Sequence, residues 1–97
     1  MRMMLKVSIP AEQGNKAMND GTLAKTMTAF VEKAKPEACY FLPHCGKRTA
    51  FFFFDLQETS QIPPVAESFF TALNADVEMT PAMNLDDLKR GLQSIPR

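Results

Sequence analysis

The chain has 97 residues, 45% of them hydrophobic, with 11 basic and 11 acidic side chains and no formal net charge. That length makes one domain, residues 1–97, with a small core of its own, and the composition argues against disorder. The charge balance argues against nucleic acid or an anionic membrane surface as the main partner, because both need a basic footprint.

The first ten residues, Met1 to Pro10, have the outline of a weak signal peptide, but Lys6 interrupts them, Pro10 ends them and no long apolar core follows. No segment reaches the length of a membrane span, so a soluble cytoplasmic protein is expected. Residues 3–9 alternate: Met3, Leu5, Val7 and Ile9 form an apolar row and Met4, Lys6 and Ser8 the opposite one. This predicts a strand with one apolar face. A helix is expected over 15–35, with Leu23, Met27, Phe30, Val31 and Ala34 as its buried stripe. Gly21 marks a kink or break inside it, Thr22 is a candidate cap for a second segment, and Pro36 closes it. Asn15, Asn19 and Asp20 read as caps and turns, or as the mouth of a pocket.

Residues 37–42 predict a second strand, 43–47 a turn punctuated by Pro and Gly, and 48–56 a third strand, so that 37–56 form a hairpin. The third strand carries four consecutive phenylalanines, Phe51 to Phe54. Alternation sends two to each face of the sheet, and a strand apolar on both sides wants cover on both. Ser60 is a candidate cap for a helix whose stripe is Ile62, Val65, Ala66, Phe69, Phe70 and Leu73, with Pro63 and Pro64 in or just before its first turn and Asn74 as its stop. A fourth strand is expected over 76–83, its Pro81 marking either an edge position or the strand's end. Asn84 caps a short terminal helix, and Leu85, Leu88 and Leu92 are expected to dock it on the body.

The order strand, helix, strand, strand, helix, strand predicts an α+β, ferredoxin-like βαββαβ sandwich with a short C-terminal helix. The expected strand order is fourth, first, third, second, with both main helices on one face. Whichever row faces the helices, two phenylalanines are left on the other side. At roughly 150–250 Å² each they approach the largest apolar patch usual on a monomer, so a homodimer packing sheet against sheet is expected. Lys6 and Glu78 fall on adjacent strands and the same face, where they are expected to pair or to stand as two solvated surface charges.

Chemistry-bearing residues are few. His44, the only histidine, adjoins Cys45 at the hairpin turn, a pairing that serves a nucleophile and base elsewhere. Here no third group orients it, and an exposed turn histidine is the plainer reading. Cys39 and Cys45, if extended, lie roughly 20 Å apart, beyond disulfide reach. With His44 they fail the ligand count and spacing of a metal site, so no metal is expected. A cleft of Tyr40, His44, Arg48 and Asp55 would suit a small anion or polar aromatic and proton transfer; the plainer reading has Asp55 capping a turn, Arg48 solvated and Tyr40 in the core. Glu67, beside Phe69 and Phe70, is a candidate catalytic or ligand-binding carboxylate if it turns toward the sheet, and a surface residue if it does not.

The segments Lys6-Val-Ser-Ile-Pro-Ala-Glu-Gln-Gly14, Asp20-Gly-Thr22, Lys35-Pro-Glu-Ala38, Arg48-Thr-Ala50, Gln61-Ile-Pro63, Val77-Glu78 and Pro81-Ala-Met83 give the chain a wider likeness. Across nearly its whole length it resembles the dimeric alpha-beta barrel superfamily, which includes muconolactone isomerases and antibiotic-biosynthesis-type monooxygenases. It is most similar to the uncharacterised small bacterial proteins of that group. The resemblance implies a homodimer and a small ligand held between helices and sheet, often without metal or organic cofactor; none is expected here. It carries over no catalytic residues. Three functions follow as expectations: a dimer binding a small apolar or aromatic ligand beneath the helices; a cofactor-independent isomerase or monooxygenase acting on a small aromatic or quinol-like substrate; or a structural or regulatory dimer module without a pocket.

Overall fold

The computed structural model describes residues 1–96. It is a mixed α+β structure: β1 (Arg2–Ile9), α1 (Ala11–Asp20), α2 (Thr22–Ala34), β2 (Ala38–His44), β3 (Lys47–Asp55), α3 (Ile62–Leu73), β4 (Asp76–Pro81) and α4 (Leu85–Gln93). The four strands form one antiparallel sheet in the order β2-β3-β1-β4, the order expected from the sequence of elements and consistent with a ferredoxin-like arrangement. Among the described residues no helix is long and apolar enough to cross a membrane.

Pairing decides which phenylalanine row meets the helices. Leu5 lies opposite Phe52 and Met3 opposite Phe54, so the apolar row of β1 continues into Phe52 and Phe54. With Val7, Ile9 and Ala50 it forms the floor of the core. Ala17 of α1, Met27 and Phe30 of α2, and Phe69 and Leu73 of α3 close it from above. Phe30 sits edge-on to Phe52 at 4.7 Å and to Phe69 at 5.4 Å between ring centroids, and Phe52 stacks on Phe69 at 6.0 Å. The other row, Met4, Lys6, Phe51, Phe53 and Tyr40, faces away from the helices. Lys6 Nζ meets Glu78 Oε2 there at 3.5 Å, as alternation requires.

Several boundaries differ from the sequence reading. The helical stretch begins at Ala11, directly after Pro10, because Ala11, Glu12 and Gln13 are good helix formers. Gly21, at φ 82°, breaks it into two helices. Thr22 is not a cap: its amide donates to Asp20 Oδ1 at 2.9 Å. The hairpin turn is two residues, Cys45 (φ 53°) and Gly46 (φ 77°), both left-handed. That is the type I′ geometry whose twist suits a hairpin, so Pro43 and His44 remain in β2. Ser60 does not cap α3. A 3₁₀ turn, Thr59–Gln61, precedes that helix, held by a capping box between Glu58 and Gln61. Phe70 is exposed although its stripe was expected to be buried. β4 ends at Pro81. Both edge strands therefore contain a proline, Pro43 in β2 and Pro81 in β4.

The largest departure is α4. Asn84 caps it as expected, accepting from the Asp87 amide at 2.8 Å while Asp87 Oδ2 accepts from the Asn84 amide at 3.1 Å. Yet none of its residues is buried, and Leu85, Leu88 and Leu92 do not dock on the body.

Candidate functional site

The helix side of the sheet is not completely roofed. Phe30 of α2 covers Phe52 and Phe54, but toward the hairpin tip the edge strand β2 runs clear of the helices. Phe41, on the helix side of β2, is consequently 56% exposed. The open space is a groove of about 770 Å³ between α2 and the β2–β3 hairpin. Leu23, Ala24, Met27 and Thr28 line it from α2; Ile9, Phe41, Pro43 and Ala50 line it from the sheet side. The α2 positions fall at helical spacing and turn one side of that helix to the groove.

Arg48 is the charged group that gives the groove a polar end. It lies opposite Ile9 and Pro43, on the helix side, and leans on α1. Its Nη2 contacts Met18 Sδ at 3.8 Å. A Cβ on Gly14 would stand 2.8 Å from its Nη1, so glycine at that helix position makes room for the guanidinium. Among the described residues no carboxylate lies within ion-pair distance of Arg48. Lys47, the other cation of the lining, pairs with Asp76 at 3.6 Å.

The four residues proposed for a cleft do not share one. Tyr40 and His44 stand on the open face of the sheet, where the His44 ring meets Phe51 at 5.6 Å. Tyr40 is 62% exposed there and not part of the core. Arg48 is on the opposite face. Asp55 is at the far end of β3, where its Oδ1 accepts from the Met1 amine at 2.6 Å; seven residues of strand separate it from Arg48, roughly 23 Å. Glu67 is on the exposed side of α3, its Oε2 accepting from the Thr71 hydroxyl at 3.4 Å, and does not turn toward the sheet. Cys39 is half-buried in β2 and Cys45 exposed in the turn, and both are free thiols. Asn15, Asn19 and Asp20 lie along and at the end of α1, exposed. Hydrogen bonds from Thr22, its side chain first and then its backbone amide, hold Asp20 below the usual carboxylate range.

A second concavity, about 490 Å³, lies at the opposite end of the molecule among Met1, Arg2, Glu37, Asp55, Pro81 to Met83 and Asp87. Its charges satisfy one another. Arg2 Nε donates to Glu37 Oε1 at 2.6 Å and Arg2 Nη1 to Asp87 Oδ2 at 3.0 Å, and Asp87 also pairs with Arg90. The Asn84 amide first, then Arg2 and Arg90, hold the Asp87 carboxyl below its ordinary range against a smaller opposing effect of burial. This cluster fastens the root of α4 and leaves little unpaired charge for a ligand.

Of the residues singled out from the sequence as candidate ligand contacts, the groove includes Arg48 and omits Tyr40 and Glu67. Its lining residues carry no motif; what creates it is the end of roofing by α2. Comparison with family models, with curated proteins and with solved structures finds no match.

Proposed function

We propose that this protein is a homodimer that binds a small apolar or aromatic molecule carrying an acidic group, in the groove between α2 and the hairpin. The supporting observation is one guanidinium without a carboxylate partner among the described residues, at the edge of a mainly apolar groove of about 770 Å³. That volume is in the range of small-molecule sites, which combine apolar walls with a few orienting polar groups. Arg48 would take the acid in a two-pronged hydrogen-bonded pair, while Leu23, Met27, Phe41 and Ala50 contact the body of the ligand. Binding is favoured over an isomerase or monooxygenase reaction, because Tyr40, His44, Asp55 and Glu67, the groups suited to proton transfer, all lie outside the groove. The dimer rests on the open face, where Met4, Phe51, Phe53 and Tyr40 make an apolar surface that the chain's own helices do not cover.

A thermal-shift comparison of 2-naphthoate with 2-naphthamide tests the ligand class. At ten times its dissociation constant the acid would stabilise the fold by about 1.4 kcal/mol, roughly 6–11 °C for a domain of this size. The amide would give a clearly smaller shift, and Arg48→Met would bring the acid down to the level of the amide. Equal shifts from acid and amide, or an acid shift that survives Arg48→Met, would overturn the assignment. Light scattering at micromolar concentration tests the dimer independently; a monomer mass would refute it.

A further inference from the structure

α4 is a helix with no buried residue, its apolar side left exposed by the described residues of its own chain. Leu85, Leu88 and Leu92 follow at spacings of three and four, which places them in one stripe. All three are exposed, Leu85 at 63% and Leu92 at 49%. The helix is nine residues long, short of the ~12–15 at which an isolated helix is even marginal in water, and its N-cap contributes only about 1 kcal/mol. α4 also stands off the body. The radius of gyration is 15.4 Å and the long axis 55 Å, against roughly 12.5 Å for a compact chain of this length.

Its root indicates what covers it. The first turn of α4 is tied through Asp87 to Arg2, and alternation along β1 puts Arg2 on the same side as Met4 and Lys6, the open face. α4 therefore leaves the body where a second copy seated on that face would meet it. The open face alone is small for a stable contact. Four strands about 4.8 Å apart and some six residues long give a flat footprint of roughly 400 Å², about half of the ~800 Å² per partner in a standard interface. The stripe of α4, roughly 13 Å long and 10 Å wide, counts twice in a two-fold pair, once given and once received, and closes most of that shortfall.

We propose that α4 is an exchanged arm: in the homodimer proposed above, on which this inference rests, each α4 lays its leucine stripe on the second copy. The receiving surface is the β2 edge of the open face, where Tyr40 is 62% exposed. A two-fold axis running along the strands sets the β4 edge of one copy over the β2 edge of the other without shifting positions along the strands; Tyr40 is level with Lys6, four residues or roughly 13 Å from Arg2, so an α4 of about 13 Å laid back along that edge reaches Tyr40 of the second copy.

Sedimentation equilibrium of the full chain and of Leu88→Glu/Leu92→Glu, over 1–100 µM, reads this directly. The unaltered chain is expected to dimerise, and the double variant to dissociate at least 100-fold more readily while its dilute melting temperature stays unchanged, since these side chains are buried nowhere in their own protomer. A second readout does not depend on how that variant folds. In a Cys39→Ser/Cys45→Ser background, chains carrying Leu88→Cys and chains carrying Tyr40→Cys are mixed under oxidising conditions; a disulfide-linked heterodimer is expected. A double variant that dimerises as tightly as the unaltered chain, or mixed cysteine chains that do not cross-link, would overturn the arm and leave the sheet-face dimer standing. A full chain monomeric at 100 µM would overturn both.

Discussion

Replacing Phe52 and Phe51 by alanine, one at a time, gives opposite results from neighbouring residues of the same type. Phe52 is fully buried, with the Phe30, Phe41 and Phe69 rings at centroid distances of 4.7, 5.8 and 6.0 Å. A buried aromatic removes roughly 150–250 Å² from water, which at about 25 cal/mol per Å² is roughly 4–6 kcal/mol, an upper value because the unfolded chain already hides part of that surface. Core Phe→Ala changes cost about 3–5 kcal/mol. A chain of this size has about 5–15 kcal/mol in total, so Phe52→Ala removes a large share of it. Phe51, half-buried on the open face, has no helix above it. In dilute solution Phe51→Ala is expected to cost about 1 kcal/mol, with a further loss appearing only at concentrations where the unaltered chain dimerises. Urea unfolding followed by circular dichroism, at submicromolar protein and again at 100 µM, measures both. A dilute-solution cost for Phe51→Ala equal to that for Phe52→Ala would refute the assignment of the two rows.

Gly21→Ala meets no atom within 4 Å, but the backbone there is at φ 82°. The cost is therefore one of strain alone, about 1–2 kcal/mol, and Gly21→Asn is expected to cost less; thermal unfolding of the two ranks them. At Gly14 an added methyl would displace the end of the Arg48 side chain, while a helix-interior Gly→Ala change gains up to about 1 kcal/mol. Gly14→Ala should keep or slightly raise the melting temperature while reducing the difference in thermal shift between 2-naphthoate and 2-naphthamide; a lost fold or an unchanged difference would contradict the geometry of the groove. Asp87 and Asp20 both titrate below their ordinary value of 3.8 in the folded protein. A lowered carboxyl contributes stability that is complete above the unfolded value and is lost as pH falls through the folded one. The first turn of α4 and the junction after α1 should thus keep their NMR shifts down to about pH 4 and loosen only below 3.8; carboxyl midpoints at or above 3.8 would refute this.

Alternation made much of the sheet legible. The apolar row of β1 and the meeting of Lys6 with Glu78 both follow from the two-residue repeat, which any strand obeys. The phenylalanine run was different, because both of its rows are apolar and periodicity cannot choose between them; only the register of β3 on β1 does. The candidate cleft failed for a related reason. A turn read as five residues leaves hairpin register open, whereas the two-residue turn at Cys45 and Gly46 places Tyr40 opposite Phe51 and Arg48 opposite Pro43. One residue of register reverses every side chain of a strand, and so Tyr40 and Arg48 end on opposite faces. For α4, the leucine spacing shows that a face needs cover and says nothing of which molecule supplies it. The groove has no signature at all in the residues, since it exists where α2 stops covering the hairpin.

The prolines in the two outermost strands, Pro43 and Pro81, limit how copies of this chain can gather. Each removes a backbone donor at a margin where another strand would have to bind. Lateral growth into fibrils is thereby discouraged at both borders. Crowding at high concentration should yield small closed particles of fixed mass, with no continuous filaments.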